Sequence, residues 1–334
     1  MEKLLKRLEA LTELNGTSGA EDAVRAYILE HIPSSLSPVV DPLGNVIVYK
    51  EGRKNRGHIM VSAHMDEVAL MVSQITDEGY LKFKTVGGID GKVLYSKRVT
   101  VEGIPGVIAG KAVHLQEKEE RKKPIDPKNL CIDIGAASKE EVPFAEGVYA
   151  YFDTRFAFMG EKAIKAKALD DRVGCSILLE LMKQEYDANI TFCFLTREEI
   201  GLSGAVAASY TVAPEEALVI EGTVCSDIPG AKPHEYVTTF GGGAVVPFMD
   251  GSMIADKEMF LNLKQIAAEE NIPIQHKRSV SGGTDAGAIH KSRAGVKTAV
   301  ISVPCRYIHS PAGLMHRDDF YAVYRLAEAY LKRR

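Results

Sequence analysis

The opening stretch "MEKLLKRLEALTEL" sets Leu4, Leu5, Leu8, Leu11 and Leu14 at helical spacing among charges, which predicts an amphipathic surface helix rather than a signal peptide. Two segments rich in Val and Ile follow, "GNVIVYKE" and "GHIMVSAHMDEV", and both read as strands. From about residue 67 the texture changes. Short alternating segments such as "YLKFKTV" and "KRVTVEG", broken by Gly87, Gly88, Gly91, Gly103 and Gly106, predict a small β-rich unit with tight turns. Within it "QEKEERKKPIDPKN" reads as a charged, proline-punctuated, solvated or mobile loop.

Near residue 164 helices and strands alternate again. "VGCSILLELMKQE" puts Val173, Ile177, Leu178, Leu181 and Met182 on one helical face. The strand "NITFCFL", a helical "SGAVAAS", the strand "ALVIEG", a helix around "KEMFLNLKQIAAEEN", the strand "TAVISVP" and a last helix ending "YRLAEAYLKRR" complete the pattern. Strands alternating with amphipathic helices indicate an α/β sheet covered on both faces. The expected plan is one discontinuous α/β domain, residues 1–66 and 164–334, interrupted by a β-rich insertion, residues 67–163, with no internal repeat.

Composition narrows the class of function without choosing one. The 334 residues carry 46% hydrophobic and 26% charged side chains with a formal net charge of −4, which gives no basic footprint for nucleic acid. No apolar run approaches the roughly 18 residues a membrane helix needs, so a cytoplasmic protein is expected. Five cysteines without a C-x-x-C pair argue against a disulfide framework and a thiolate zinc site. Cys175 and Cys193 lie in apolar segments and read as small core residues, and Cys131, Cys225 and Cys305 have no activating partner in sight.

The candidate chemistry sits at the ends of the predicted strands, where open α/β sheets bind ligands. His64 and Asp66 close "GHIMVSAHMD", Glu198 and Glu199 close "NITFCFL", Glu221 closes "ALVIE", and His309 follows "TAVISVPCRY". Asp170 and Asp171 precede the helix that starts near Arg172. Each has an ordinary explanation alone. A histidine at a strand end is usually just hydrogen-bonded or exposed, the reading given to His31, His58, His114, His276 and His316, and an Asp before a helix is usually an N-cap. What changes the reading is their recurrence at equivalent ends of one sheet. On a strand, His64 and Asp66 share a face, so the carboxylate can orient the ring toward a metal. The adjacent like charges of Glu198 and Glu199 resist burial unless a cation relieves them. Two histidines with three carboxylates suit two divalent ions about 3.5 to 4 Å apart, which activate a water and polarise a carbonyl. Amide hydrolysis is the implied chemistry.

Taken together and in this order, "AHMDEV", "KALDDRVG", "TREEIG", "IEGT" with "DIPG", "SGGTDAGAIH" and "RYIHSP" resemble the tetrahedral aminopeptidase family of co-catalytic metallopeptidases, which includes glutamyl and deblocking aminopeptidases. The likeness runs over nearly the whole chain, insertion included. It implies a zinc-exopeptidase-like mixed sheet flanked by helices, with the insertion as a small β-barrel-like dimerisation domain. It further implies that Asp170 bridges two metals, His64 and Glu221 completing one site and Glu199 and His309 the other. Zinc or cobalt would be the usual metals and manganese an occasional one. Glu198 would be the general base and Asp66 would orient His64, with a cis peptide between Asp170 and Asp171. The family more often has Asp where Glu221 stands, and the extra methylene lengthens that ligand's reach. Short peptides would be the substrates, and dimers would assemble into a hollow tetrahedral dodecamer. The loop holding Gly283 and Asp285 reads equally as a turn and helix cap or as a wall of the pocket near the substrate's amino end.

Three rivals differ in chemistry. An N-acyl amino acid deacylase or a carboxypeptidase on the same scaffold would resemble enzymes with a smaller α/β insertion, against the β-rich one here. A glycosidase using Glu198 and Glu199 needs carboxyls about 5 to 9.5 Å apart across the scissile bond, which adjacent residues rarely supply. A non-catalytic scaffold would not need every metal position and the base to be occupied.

Overall fold

The apolar runs become strands and the amphipathic runs become helices that cover them. The structure, a computed structural model, describes residues 1–119, 122, 125–280 and 282–334. In chain order the elements are α1 (Glu2–Glu13), α2 (Asp22–His31), β1 (Pro38–Val40), β2 (Val46–Lys50), β3 (His58–His64), β4 (Ala69–Ile75), β5 (Leu81–Val86), β6 (Arg98–Val101), β7 (Ile104–Gly110), β8 (Leu130–Asp133) and β9 (Tyr149–Phe152). They continue with β10 (Ala157–Met159), β11 (Ala163–Ala166), α3 (Leu169–Leu181), β12 (Asn189–Leu195), α4 (Ser203–Val212), β13 (Glu216–Val224) and β14 (Ala244–Val245). The last are α5 (Lys257–Glu269), β15 (Ile274–Gln275), α6 (Ala286–Ile289), β16 (Lys297–Arg306), β17 (Gly313–His316) and α7 (Arg317–Lys332).

The described residues divide into two compact units. One holds residues 1–67, 156–308 and 313–334, and the other holds residues 68–155 and 309–312. The first boundary lies one residue from the expected 66/67. The second lies earlier than 163/164, because Ala157–Met159 pairs antiparallel with β11 and so joins the large sheet as its edge.

In the larger unit the strands run β1-β2-β12-β3-β13-β16-β17-β11-β10, with β14 and β15 attached beside β16. Its centre is parallel: β3 pairs with β12 on one side and β13 on the other, and β13 pairs with β16. A parallel strand with helices on both faces is buried on both, which is why "NITFCFL" is apolar at nearly every position and Ile190 through Leu195 are all buried. The helix α3 departs from the one-faced expectation. Gly174, Cys175, Ser176 and Leu179 are buried along with the predicted face, because α3 packs against α1 as well as against β3 and β13.

The smaller unit is a closed antiparallel barrel, β4-β5-β8-β7-β6-β9, around Leu70, Leu81, Phe83, Ile108 and Ile132. Its β6–β7 hairpin turns through Glu102 and Gly103, whose φ values of 47° and 80° suit the tight two-residue turn that matches strand twist. Within the predicted charged loop, residues 120, 121, 123 and 124 lie outside the described residues, and Pro127–Asn129 forms a short 3-10 turn.

Candidate metal centre

Register brings the chemistry together. Leu195 of β12 lies opposite His64, and Val219 of β13 lies opposite Ser62, so Glu221 follows two residues on at the level of His64. Glu221 is therefore inside β13, which runs on to Val224, rather than at its end, and it reaches the site because β3 stops earlier. Asp66 lies two residues past the end of β3.

The His64 ring is buried, with Nε2 3.3 Å from Asp170 Oδ1 and 3.5 Å from Glu221 Oε2. On its other side Nδ1 lies 3.0 Å from the carbonyl oxygen of Asp66 and 3.4 Å from the Asp66 carboxylate. The nearer acceptor is the backbone carbonyl, so the expected carboxylate contact is the longer of two. With Nδ1–H turned to that carbonyl, Nε2 is the ring atom left for a cation, which would replace the proton that otherwise faces the carboxylates.

The "LDDR" pair divides its labour. Asp171 accepts from Gly174 N–H at 3.0 Å, as an N-cap does, and from His64 N–H at 3.2 Å, so it serves α3 and β3. Asp170, joined to it by a cis peptide, turns its Oδ1 to His64 and to Gly222 N–H at 3.2 Å.

Asp66 does more than its position predicts. Its carboxylate accepts from the Ser18 hydroxyl at 2.5 Å and from the amides of Glu198 and Glu199 at 3.1 and 3.2 Å. The two glutamates are thus held by their backbone while their carboxylates point elsewhere.

His309 belongs to the smaller unit, where its Nδ1 lies 3.0 Å from the carbonyl oxygen of Gly88 and its φ is 56°. Like His64, it offers Nδ1 to a backbone carbonyl. Gly283 is exposed, whereas Asp285 is fully buried, and among the described residues neither of its carboxyl oxygens has a hydrogen-bond partner. Its own amide lies 3.4 Å from Glu221 Oε1. Ser281, in the same motif, lies outside the described residues.

Burial raises Glu198 and Glu221, whereas for Asp66 the hydrogen bonds from His64 and Ser18 outweigh burial and lower the carboxyl. Burial, assisted by Glu199, Asp170 and Asp66 against the opposing effect of His64, pushes the Glu198 carboxyl up to about 8. Burial also raises Glu221 well above the ordinary carboxylate range, with His64 opposing and Asp171 and Glu198 adding to the rise. For His64 burial favours the neutral ring, but hydrogen bonds to Asp170 and Asp66 and the charges of Glu221 and Glu198 outweigh it and raise the pKa well above normal. The rises of Glu198 and Glu221 report burial first and neighbouring carboxylates second, and the rise of His64 reports the negative charge around it.

A divalent cation would relieve it. His64, Asp170 and Glu199 offer ligand atoms within 4.8 Å of one another, and so do His64, Asp171 and Glu221. In the second set Asp171 already spends both oxygens on backbone amides, which makes Asp170 the better donor. Imidazole with carboxylates suits a borderline divalent ion such as zinc.

The sequence matches the M42 glutamyl aminopeptidase family over residues 44–326. The chain belongs to that family. This M42 peptidase, a hydrolase of peptide bonds, is 31% identical to the lysyl aminopeptidase of Pyrococcus furiosus, over 97% of this chain and 96% of the relative. Its fold is similar to that of an aminopeptidase from the archaeon Desulfurococcus kamchatkensis, with TM-score 0.95 and 35% identity over 100% of this chain and 95% of that one. It is also similar to the TET1 peptidase of Pyrococcus horikoshii, which can assemble into a tetrahedron or a large octahedral shell, with TM-score 0.86 and 33% identity over 98% and 99% of the two chains.

Several residues of this M42 peptidase's site give no sign in the sequence pattern. Ser18 and Glu21 sit in a turn near the amino terminus, and Arg172 reads as the first residue of a helix. Lys277, largely buried, feels the charges of Asp250, Asp170 and Glu221, which oppose the lowering of its pKa by burial. Only Arg172 carried a clue, because it completes "ALDDR".

Proposed function

We propose that this M42 peptidase is an aminopeptidase that removes amino-terminal residues from short peptides, with His64, Asp170, Glu199, Glu221 and His309 holding two divalent cations. The observation that carries the reading is the convergence of His64 Nε2 with Asp170 and Glu221 in a buried site where the Glu198 and Glu221 carboxyls are driven upward. Cations bound there, zinc or cobalt first and manganese as a third candidate, supply Lewis-acid polarisation of the scissile carbonyl and make water more acidic.

The chain's own groups do the rest. Glu198 takes a proton from the attacking water and delivers it to the leaving amine nitrogen. The rise of its pKa to about 8 belongs to the site without a cation; bound cations favour the ionised carboxylate, which leaves Glu198 free to accept that proton. His64 is held for coordination by the Asp66 carbonyl and carboxylate. Gly283, which is exposed, and Asp285, which is buried with its amide 3.4 Å from Glu221 Oε1, are the two residues proposed to meet the substrate.

The barrel is proposed as a dimerisation unit, and a hollow tetrahedral dodecamer, by analogy with TET1, whose structures include a dodecamer and a tetrahedral shell, would admit only short peptides. Among the described residues no helix is long and apolar enough to cross a membrane, which fits the proposed cytoplasmic setting. A deacylase on this scaffold is the second reading, and aminoacyl anilides separate the two because a deacylase needs an acylated amine. Glu198→Gln is expected to keep its metals and lose roughly 10²- to 10⁴-fold or more in anilide turnover. Normal turnover in that variant would reject Glu198 as the base.

A further inference from the structure

The segment Arg197–Glu199 leaves the end of β12 through a left-handed residue, Arg197 with φ 59°, so the glutamates do not continue the strand. Three successive amides are exposed by that departure, and two buried carboxylates take all of them. Glu21 Oε1 lies 3.3 Å from Arg197 N, Asp66 Oδ1 3.1 Å from Glu198 N and Asp66 Oδ2 3.2 Å from Glu199 N. The amino-terminal turn between α1 and α2 supplies Glu21 itself and the Ser18 hydroxyl, which donates to Asp66 Oδ2 at 2.5 Å.

That turn is clamped from behind. Arg172 donates to the carbonyls of Leu11 at 2.6 Å, Gly16 at 3.1 Å and Met65 at 2.9 Å. Lys167 donates to the Leu14 carbonyl at 2.8 Å and to Glu67 at 2.6 Å, while the Thr17 hydroxyl donates to the Glu67 carbonyl at 2.7 Å. All of these groups lie in one unit, and Ser18, Glu21, Glu67, Lys167 and Arg172 are buried. Buried, charge-assisted hydrogen bonds of this kind hold position tightly.

We infer that Ser18 is a positioning residue for catalysis: by fixing the Asp66 carboxylate it sets the backbone from which Glu198 and Glu199 reach the reacting atoms. The inference rests on the reading of Glu198 as the base. Without the hydroxyl, the carboxylate that holds two adjacent amides can rotate, and displacement of a catalytic group by a fraction of an ångström slows the chemistry more than it weakens binding.

Ser18→Val and Ser18→Thr have the same shape and differ in the hydroxyl, and Ser18→Ala removes it without added bulk. In the metal-loaded full-length enzyme, Val and Ala variants are expected to lose roughly 10- to 100-fold in kcat on an aminoacyl anilide with KM and metal content unchanged, while Thr retains the wild-type kcat. Equal kcat for Val and Thr, or a wild-type kcat for Ala, would overturn the inference. So would a loss confined to metal content or to the yield of folded protein. Glu198→Gln measured alongside separates the two readings. If it is inactive and Ser18→Ala is normal, only the role of Ser18 fails; if it is active, the base assignment fails and the role of Ser18 with it.

Discussion

The two units bury opposite kinds of side chain. Among the described residues of 68–155 the buried side chains are all apolar, a conventional barrel core. The larger unit buries His64, Asp66, Glu67, Lys167, Asp171, Arg172, Glu221 and Asp285 in addition to an apolar core. A domain gains nothing in stability from burying that many ionisable groups, since desolvation offsets their attraction. The difference separates an interior of packing alone from one that also holds ionisable groups, and it makes the stability of the two parts answer to different variables.

The largest effect expected from that contrast falls on Arg172. Replacing it with Met strips several backbone carbonyls of their donor and leaves Glu67 one cation short, and should destabilise the larger unit by about 3–5 kcal/mol in urea unfolding. A loss under 1 kcal/mol would mean that the buried charges are not structural.

A second effect sharpens the comparison through pH. In the metal-free protein the Glu198 carboxyl titrates near 8 when folded against an ordinary 4.5 when unfolded. A group with a raised folded pKa contributes stability below its unfolded value and loses it as pH rises through the folded one. The larger unit should therefore melt at lower temperature as pH climbs from about 4.5 to 8, and bound cation should flatten that slope. A metal-free melting temperature that rises across the same window would refute the electrostatic account of the site.

The smallest effect is the barrel control. Ile132→Val should cost about 0.5–1.5 kcal/mol, and the cost should be the same with and without metal and at every pH in that window. Hydrogen exchange of the β8 amides reads it directly.

Elements with strong periodicity were legible from residues alone. "NITFCFL" and "TAVISVP" are strands because a parallel centre demands continuous apolar runs, and the leucines of α1 mark a helix with one buried face. Strand ends were less legible. Nothing in "ALVIEG" says that β13 continues past Glu221, since that depends on β3 ending first. The edge strand Ala157–Met159 is three residues long and too short to carry a period. For the site, acids and histidines at strand ends could be named one by one, because ligand types have chemical signatures. Their supports could not. Ser18 and Glu21 are common polar residues whose roles come from partners 48 and 176 positions away. Asp171 and Asp170 are indistinguishable in "LDDR" until backbone geometry sends one to the helix cap and the other to His64.

The most direct measurement is the metal stoichiometry of the intact chain. The enzyme is stripped with a chelator, reloaded with zinc or cobalt, desalted, and submitted to elemental analysis beside His64→Ala and His309→Ala. Two ions per wild-type chain are expected, with anilide hydrolysis returning as they bind, and fewer ions in each variant. A wild-type chain that retains no ion after desalting yet still hydrolyses the anilide would contradict that expectation.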